Sequence, residues 1–272
     1  MYFFLTLHLV LSEKCTEDSL QSPIDIVSPF TFKDPQISFY LGYQEKTLLY
    51  HDGSTLRIDG DFGGFLWNSS YFWSTGLVFK QPSEHTLEGS TMPMEMQLFF
   101  TDQYSNQAAL IAFFEESSES NFLYEVGFGN PQLKDAEEGS LFFIEEAVDI
   151  SSLLGYPKYY LYYEGSTTVS PCETNVTWLI LTNTYKASEE QLNNFPTSLQ
   201  GEVRETQELN DRKIYCNFKT SSNGEILAED EGNNEGVVQA ISMGKSYKEV
   251  NDEFIIETEV YLNEFPEVEN IY

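Results

Sequence analysis

At 272 residues the chain is long enough for one large domain with a sizeable core, or for a domain with an appendage. Its 21 Phe and 17 Tyr favour a folded, strand-rich interior over disorder. A net charge of −30, from 44 acidic and 14 basic residues, argues against nucleic acid or an anionic membrane as the main partner, because both require a basic patch.

Residues 1–12 form an apolar run that contains His8. It is too short to span a bilayer, which takes roughly 20 apolar residues in a helix. It resembles the apolar part of a secretory signal, and its plainer reading is a buried first strand or a docking segment. The first reading places the chain outside the cell or in a lumen; a retained segment instead fits a larger membrane-associated assembly. Three cysteines, Cys15, Cys172 and Cys216, suggest one disulfide and one leftover thiol in an oxidising compartment. Asn68-Ser69-Ser70 and Asn175-Val176-Thr177 are glycosylation triplets, which makes Asn68 and Asn175 candidate acceptors.

Short runs rich in β-branched and aromatic residues then recur between turn signals. They predict strands near 37–43, 47–50, 54–58, 62–67, 75–79, 94–100, 108–114, 159–163 and 177–182. Asp52-Gly53 and Asp59-Gly60 mark turns on either side of one such run. Helices are predicted only as short pieces, over 120–127, 149–154 and 188–193, the last with Ser188 placed to cap and two glutamates at its start. The composition changes near Lys219: residues 221–272 carry 13 acidic and two basic side chains, supplying −11 of the net charge. The chain therefore divides into the apolar segment 1–12, a β-rich domain over 13–220, and an acidic C-terminal extension over 221–272. That extension could attract cations or a basic neighbour.

Four sequence elements carry a family resemblance. The first is Gln21-Ser22-Pro23-Ile24-Asp25-Ile26. The second is Ser83-Glu84-His85-Thr86, followed by Met94-Glu95-Met96. The third is Tyr163-Glu164-Gly165-Ser166-Thr167-Thr168 with Pro171-Cys172 and Val176-Thr177-Trp178. The fourth joins Ser188–Gln191 and Asn194-Phe195 to Leu209-Asn210-Asp211-Arg212. In this order and spacing they resemble the alpha carbonic anhydrases over some 200 residues, from about Cys15 to Tyr215. The resemblance implies a mainly β fold: a twisted, mostly antiparallel sheet of about ten strands with short surface helices. It also implies a disulfide between Cys15 and Cys172, which leaves Cys216 over, either as a buried or capped thiol or as one half of an intermolecular bridge.

The resemblance fails where the family holds its metal. Its three zinc-binding histidines fall on Val78, Lys80 and Gln97 of this chain. Catalytic zinc needs three protein ligands and an open position for water, whose pKa it lowers to about 7. Valine cannot coordinate, glutamine is a poor zinc ligand, and an ammonium repels a dication. The chain holds only His8, His51 and His85, too few to rebuild the site. Ser54 stands where the family carries its proton-shuttle histidine, and Thr167 where it carries a pocket leucine. Thr168, Glu84 and Glu95 match family positions that orient the zinc hydroxide and a zinc ligand. With His85, these groups read more simply as a buried hydrogen-bond network; a sharper expectation is that Lys80 pairs with Glu84 or Glu95 and fills the metal's place.

The resemblance with these losses implies a catalytically inactive carbonic anhydrase-like protein, with no zinc or other cofactor. It would act as a binding scaffold for a protein partner or as a structural subunit of a larger assembly. The rival reading is a carbonate dehydratase or esterase with a non-standard metal site drawn from Glu84, Glu95 and Gln97.

Overall fold

The computed structural model describes residue 15, residues 18–220 and residues 226–227. The apolar run 1–12 and nearly all of the acidic extension 221–272 lie outside the described residues.

Each of the nine β-branched and aromatic runs forms a strand, and three further short segments join them in one twelve-stranded sheet. In chain order the strands are β1 (Thr31–Phe32), β2 (Ser38–Leu41), β3 (Thr47–His51), β4 (Leu56–Asp59), β5 (Gly63–Trp67) and β6 (Ser70–Lys80). They continue with β7 (Met94–Thr101), β8 (Gln107–Glu116), β9 (Leu141–Ile144), β10 (Tyr160–Ser166), β11 (Thr174–Ala187) and β12 (Tyr215–Cys216). Ten of them run side by side in the order β9-β3-β4-β6-β7-β8-β11-β10-β12-β1. The other two, β2 and β5, form a flap on the first half of β6. Pairing is antiparallel except for β8 with β11 and β12 with β1.

The parallel pair is buried on both faces, which explains why β8 reads as a continuous apolar run rather than an alternating one. Its Ala108, Leu110, Ala112 and Phe114 face one core. That core is closed by the short helices through Phe122, Leu123, Phe128, Ile150 and Leu192. Ala109, Ile111 and Phe113 face a second, smaller core with Tyr163, Trp178 and Ile180. Trp178 and Phe113 are no more than 1% exposed, and each such side chain contributes roughly 1.5–3 kcal/mol of burial free energy.

The three predicted helices form, each with its own punctuation. α1 (Asn121–Leu123) is capped by Ser120 and widens into a π-turn over Tyr124–Phe128. The helical backbone of this stretch breaks at Gly127, whose φ of 111° lies outside the helical range. α2 (Ile150–Leu154) is capped by Asp149. α3 (Glu189–Asn193) opens with a full capping box: Gln191 N donates to Ser188 Oγ, and Ser188 N donates to Gln191 Oε1. The same Gln191 side chain holds Ser120 by its N–H and its carbonyl, tying α3 to α1. Cys15 and Cys172 are joined in a disulfide across 157 positions. Cys216 stays free and buried, its thiol pKa pushed up by desolvation.

Candidate functional site: a buried charge network under a cleft

The site is built on the central strands β6 and β7. Their antiparallel register sets Lys80 opposite Glu95 and Val78 opposite Gln97, so all four side chains leave the same face of the sheet. After Lys80 the chain turns back, which brings Glu84 and His85 over that face. Two backbone donors hold the turn: Glu84 N and His85 N reach Glu95 Oε2 at 3.0 and 2.9 Å.

Two carboxylates organise the charge. Glu95, fully buried, accepts those two amides and two side chains, His85 Nδ1 at 3.0 Å and Gln97 Nε2 at 2.8 Å. Glu84, 2% exposed, lies 3.1 Å from Lys80 Nζ, itself on a 5% exposed residue. Lys80 therefore pairs with Glu84, and Glu95, although opposite it in register, is taken up by His85, Gln97 and the turn. Glu84 also accepts Gln97 Nε2 at 3.0 Å, Arg204 N at 3.3 Å and the Thr168 hydroxyl. Burial alone would raise its pKa, but the Lys80 charge and these hydrogen bonds outweigh desolvation and hold it below the usual carboxylate value.

The network continues into the smaller core. His85 Nε2 is 2.7 Å from the Tyr163 hydroxyl, which is 2.8 Å from Ser22 Oγ. The His85 ring leans on Trp178 at a centroid distance of 4.9 Å, and Trp178 Nε1 donates to Ser166 O. Arg204 closes the arrangement, its guanidinium donating to Ser22 O and Gln21 Oε1. Ser22, Tyr163 and Trp178 had a sequence signal, since each sits inside a resemblance motif. Arg204 had none, because it comes from an irregular segment.

Above the network lies a cleft of about 470 Å³. Val78, Gln97, Thr167, Thr168 and Val169 line it, with Ser54, Asp52 and Arg57 on one side. Arg57 pairs with Asp59 and Asp52 and packs over the Tyr50 ring. His51 does not line the cleft: its Nδ1 accepts from Gly53 N and its Nε2 lies 3.0 Å from Ser198 Oγ, which fastens a turn. Asn68 and Asn175 lie away from this cleft, exposed on the rim of a separate surface depression.

The residues under the cleft do not make a set of zinc donors. Val78 offers only methyl groups, Lys80 is committed as a cation to Glu84, and Gln97 turns its N–H toward two carboxylates. The oxygens of Glu84 and Glu95 are already engaged by donors. Among the described residues, no three His, Cys, Asp or Glu side chains come together so as to hold a metal ion.

Comparison with known proteins agrees with the architecture. The family model for eukaryotic-type carbonic anhydrase matches residues 9–218. The chain is 27% identical over 210 residues to a carbonic anhydrase of Pectobacterium atrosepticum, covering 74% of this chain and 81% of that one. It is 29% identical over 171 residues to human receptor-type tyrosine-protein phosphatase zeta, covering 54% of this chain and 7% of that much longer protein. Among solved structures, the alpha carbonic anhydrase of Thermovibrio ammonificans bound to sulfanilamide superposes with a TM-score of 0.64 at 28% identity, over 72% of this chain and 87% of that one. The chain belongs to the eukaryotic-type carbonic anhydrase family.

Proposed function

We propose that this family member is catalytically inactive and works as a binding scaffold or structural subunit. The observation that carries the reading is the Lys80–Glu84 ion pair beneath the cleft. By the family resemblance, Val78, Lys80 and Gln97 stand in place of the three zinc-binding histidines. A lysine there supplies the positive charge that Glu84 would otherwise draw from a metal. It adds no Lewis acidity and no activated water. Gln97 completes the substitution by donating to both carboxylates, so the vacated centre is satisfied rather than strained. The chain would then bind no zinc and need no other cofactor.

The Cys15–Cys172 disulfide favours a secreted or lumenal setting, with Asn68 and Asn175 as exposed glycan acceptors. Retention of the apolar run 1–12 would instead place the chain within a membrane-associated assembly. The partner is a protein, not nucleic acid or an anionic bilayer, because the chain carries −30.

The test is stopped-flow CO₂ hydration, together with ester hydrolysis, on the purified chain with added zinc. The proposal expects rates equal to buffer with and without the metal. Zinc-dependent, chelator-sensitive turnover would overturn it in favour of an enzyme with a non-standard metal site.

A further inference from the structure

The flap β2–β5 and the first half of β6 present an unusual outer face. Register sets Tyr40 opposite Gly64 and Gly64 opposite Trp73, while Leu66 lies opposite Tyr71. All five positions therefore share one face of the sheet. The opposite face of the same strands carries Phe39, Phe65 and Phe72 in the main core, with Phe65 stacked on Phe72 and tilted against Phe39. The core is thus complete without the outer rings. Tyr40 is 57% exposed, Tyr71 44% and Trp73 38%.

Gly64 is the floor of this shelf. A Cβ built there would stand 2.9 Å from the Tyr71 Cζ and hydroxyl and 2.0 Å from Phe72 O, so the tip of the Tyr71 ring sits in the space a side chain would take. Asp61 borders the shelf, with its Oδ1 fixed by Gly63 N at 2.9 Å. The Tyr71 pKa is raised by desolvation and then by the charge of Asp61, three residues before Gly64, and by Tyr40. Five aromatic rings of the described residues hold a lysine or arginine of this chain over their faces: Tyr50, Tyr159, Tyr163, Tyr215 and Phe32. Tyr40, Tyr71 and Trp73 are not among them.

Exposed π-faces beside a carboxylate, on a chain of net charge −30, complement a cation whose stem is apolar. We infer that the Tyr40–Tyr71–Trp73 shelf docks a basic segment of a protein partner, with an arginine or lysine side chain laid over the rings and paired with Asp61. The row continues from Trp73 through Thr101 to Gln107, both at the wall of the cleft, so the docked segment would run toward it. The inference names a partner chemistry and does not depend on whether the chain hydrates CO₂.

The experiment uses the full chain and a fluorescein-labelled arginine nonapeptide, followed by anisotropy at low and at physiological salt. Trp73→Ser and Tyr71→Ser should each weaken binding roughly three- to tenfold, and Asp61→Asn should weaken it and flatten its salt dependence. Tyr124→Ser, at a ring 60% exposed in the π-turn on the other face of the sheet, should leave binding unchanged. Near-ultraviolet circular dichroism of each variant confirms that the fold is kept, and Tyr71→Ser and Asp61→Asn decide the matter if Trp73→Ser does not fold. Equal affinity of shelf variants and wild type, or an equal loss in Tyr124→Ser, would overturn the inference and leave only diffuse attraction by net charge. Sedimentation showing a wild-type dimer that Trp73→Ser dissociates would overturn it too, assigning the shelf to a second copy.

Discussion

Replacing Lys80 with methionine keeps the length and apolar stem of the side chain and deletes its charge. Glu84, 2% exposed, is then left with hydrogen bonds from Gln97, Thr168 and Arg204 N, and with the Arg204 guanidinium, which is not paired with it directly, as its remaining positive charge. Removing one partner of a buried pair costs about 3–5 kcal/mol, and the surviving donors place this case near the lower end. For a domain of this size that corresponds to a fall in Tm of about 6–12 °C. The pH dependence carries the diagnostic. In the wild type the Glu84 pKa lies below 4.5, so its stabilising contribution is present above that value and is lost as pH falls through the folded pKa. Without Lys80 burial is opposed only by the remaining hydrogen bonds and the Arg204 charge, so the folded pKa rises from its wild-type position. The protonated form is then favoured at low pH, and its advantage is lost as pH rises. The stability gap between variant and wild type is therefore largest near pH 7 and shrinks toward pH 4. Urea unfolding at both pH values measures it, and Lys80→Met/Glu84→Gln should recover most of the loss because no unpaired charge remains. A single variant as stable as wild type at pH 7 would refute the claim that Lys80 is the counter-charge of Glu84.

Other consequences are as direct. Cys172→Ser, which opens the disulfide across 157 positions, should lower unfolding stability by roughly 2–5 kcal/mol, and reductant should lower the wild type equally but not the variant. Ser188→Ala removes the reciprocal cap of α3 and should cost about 1 kcal/mol, read from the urea midpoint at unchanged m-value. The chain expressed through a eukaryotic secretory route should carry glycans that Asn68→Gln and Asn175→Gln remove one at a time; a mass identical to the bare polypeptide would contradict that placement.

Much of the architecture was legible because its strands are long and chemically distinct. The aromatic and β-branched runs mark every long strand, and Asp149 and Ser188 mark helix starts that form as predicted. The shorter pieces were not legible. Two-residue strands such as β1 and β12 are too brief to show a period, and β9 lacks alternation because Leu141 and Phe143 are apolar yet 65% and 61% exposed. The parallel pairing of β8 with β11 is a non-local contact with no local signature. At the site, sequence named Lys80, Glu84, Glu95 and His85 as a group, but not which carboxylate the lysine takes. That choice follows from the turn after β6, whose amides claim Glu95 and leave Glu84 to the cation.

Zinc content by mass spectrometry, on the full chain and on a Val78→His/Lys80→His/Gln97→His variant, both dialysed against zinc and then buffer, decides whether the Lys80–Glu84 pair stands in place of a metal. Essentially no metal is expected in the wild type and about one zinc per chain in the variant, which regains three imidazole ligands on the same face. Stoichiometric zinc in the wild type would contradict that placement, because the Lys80–Glu84 pair would then not stand where the metal binds.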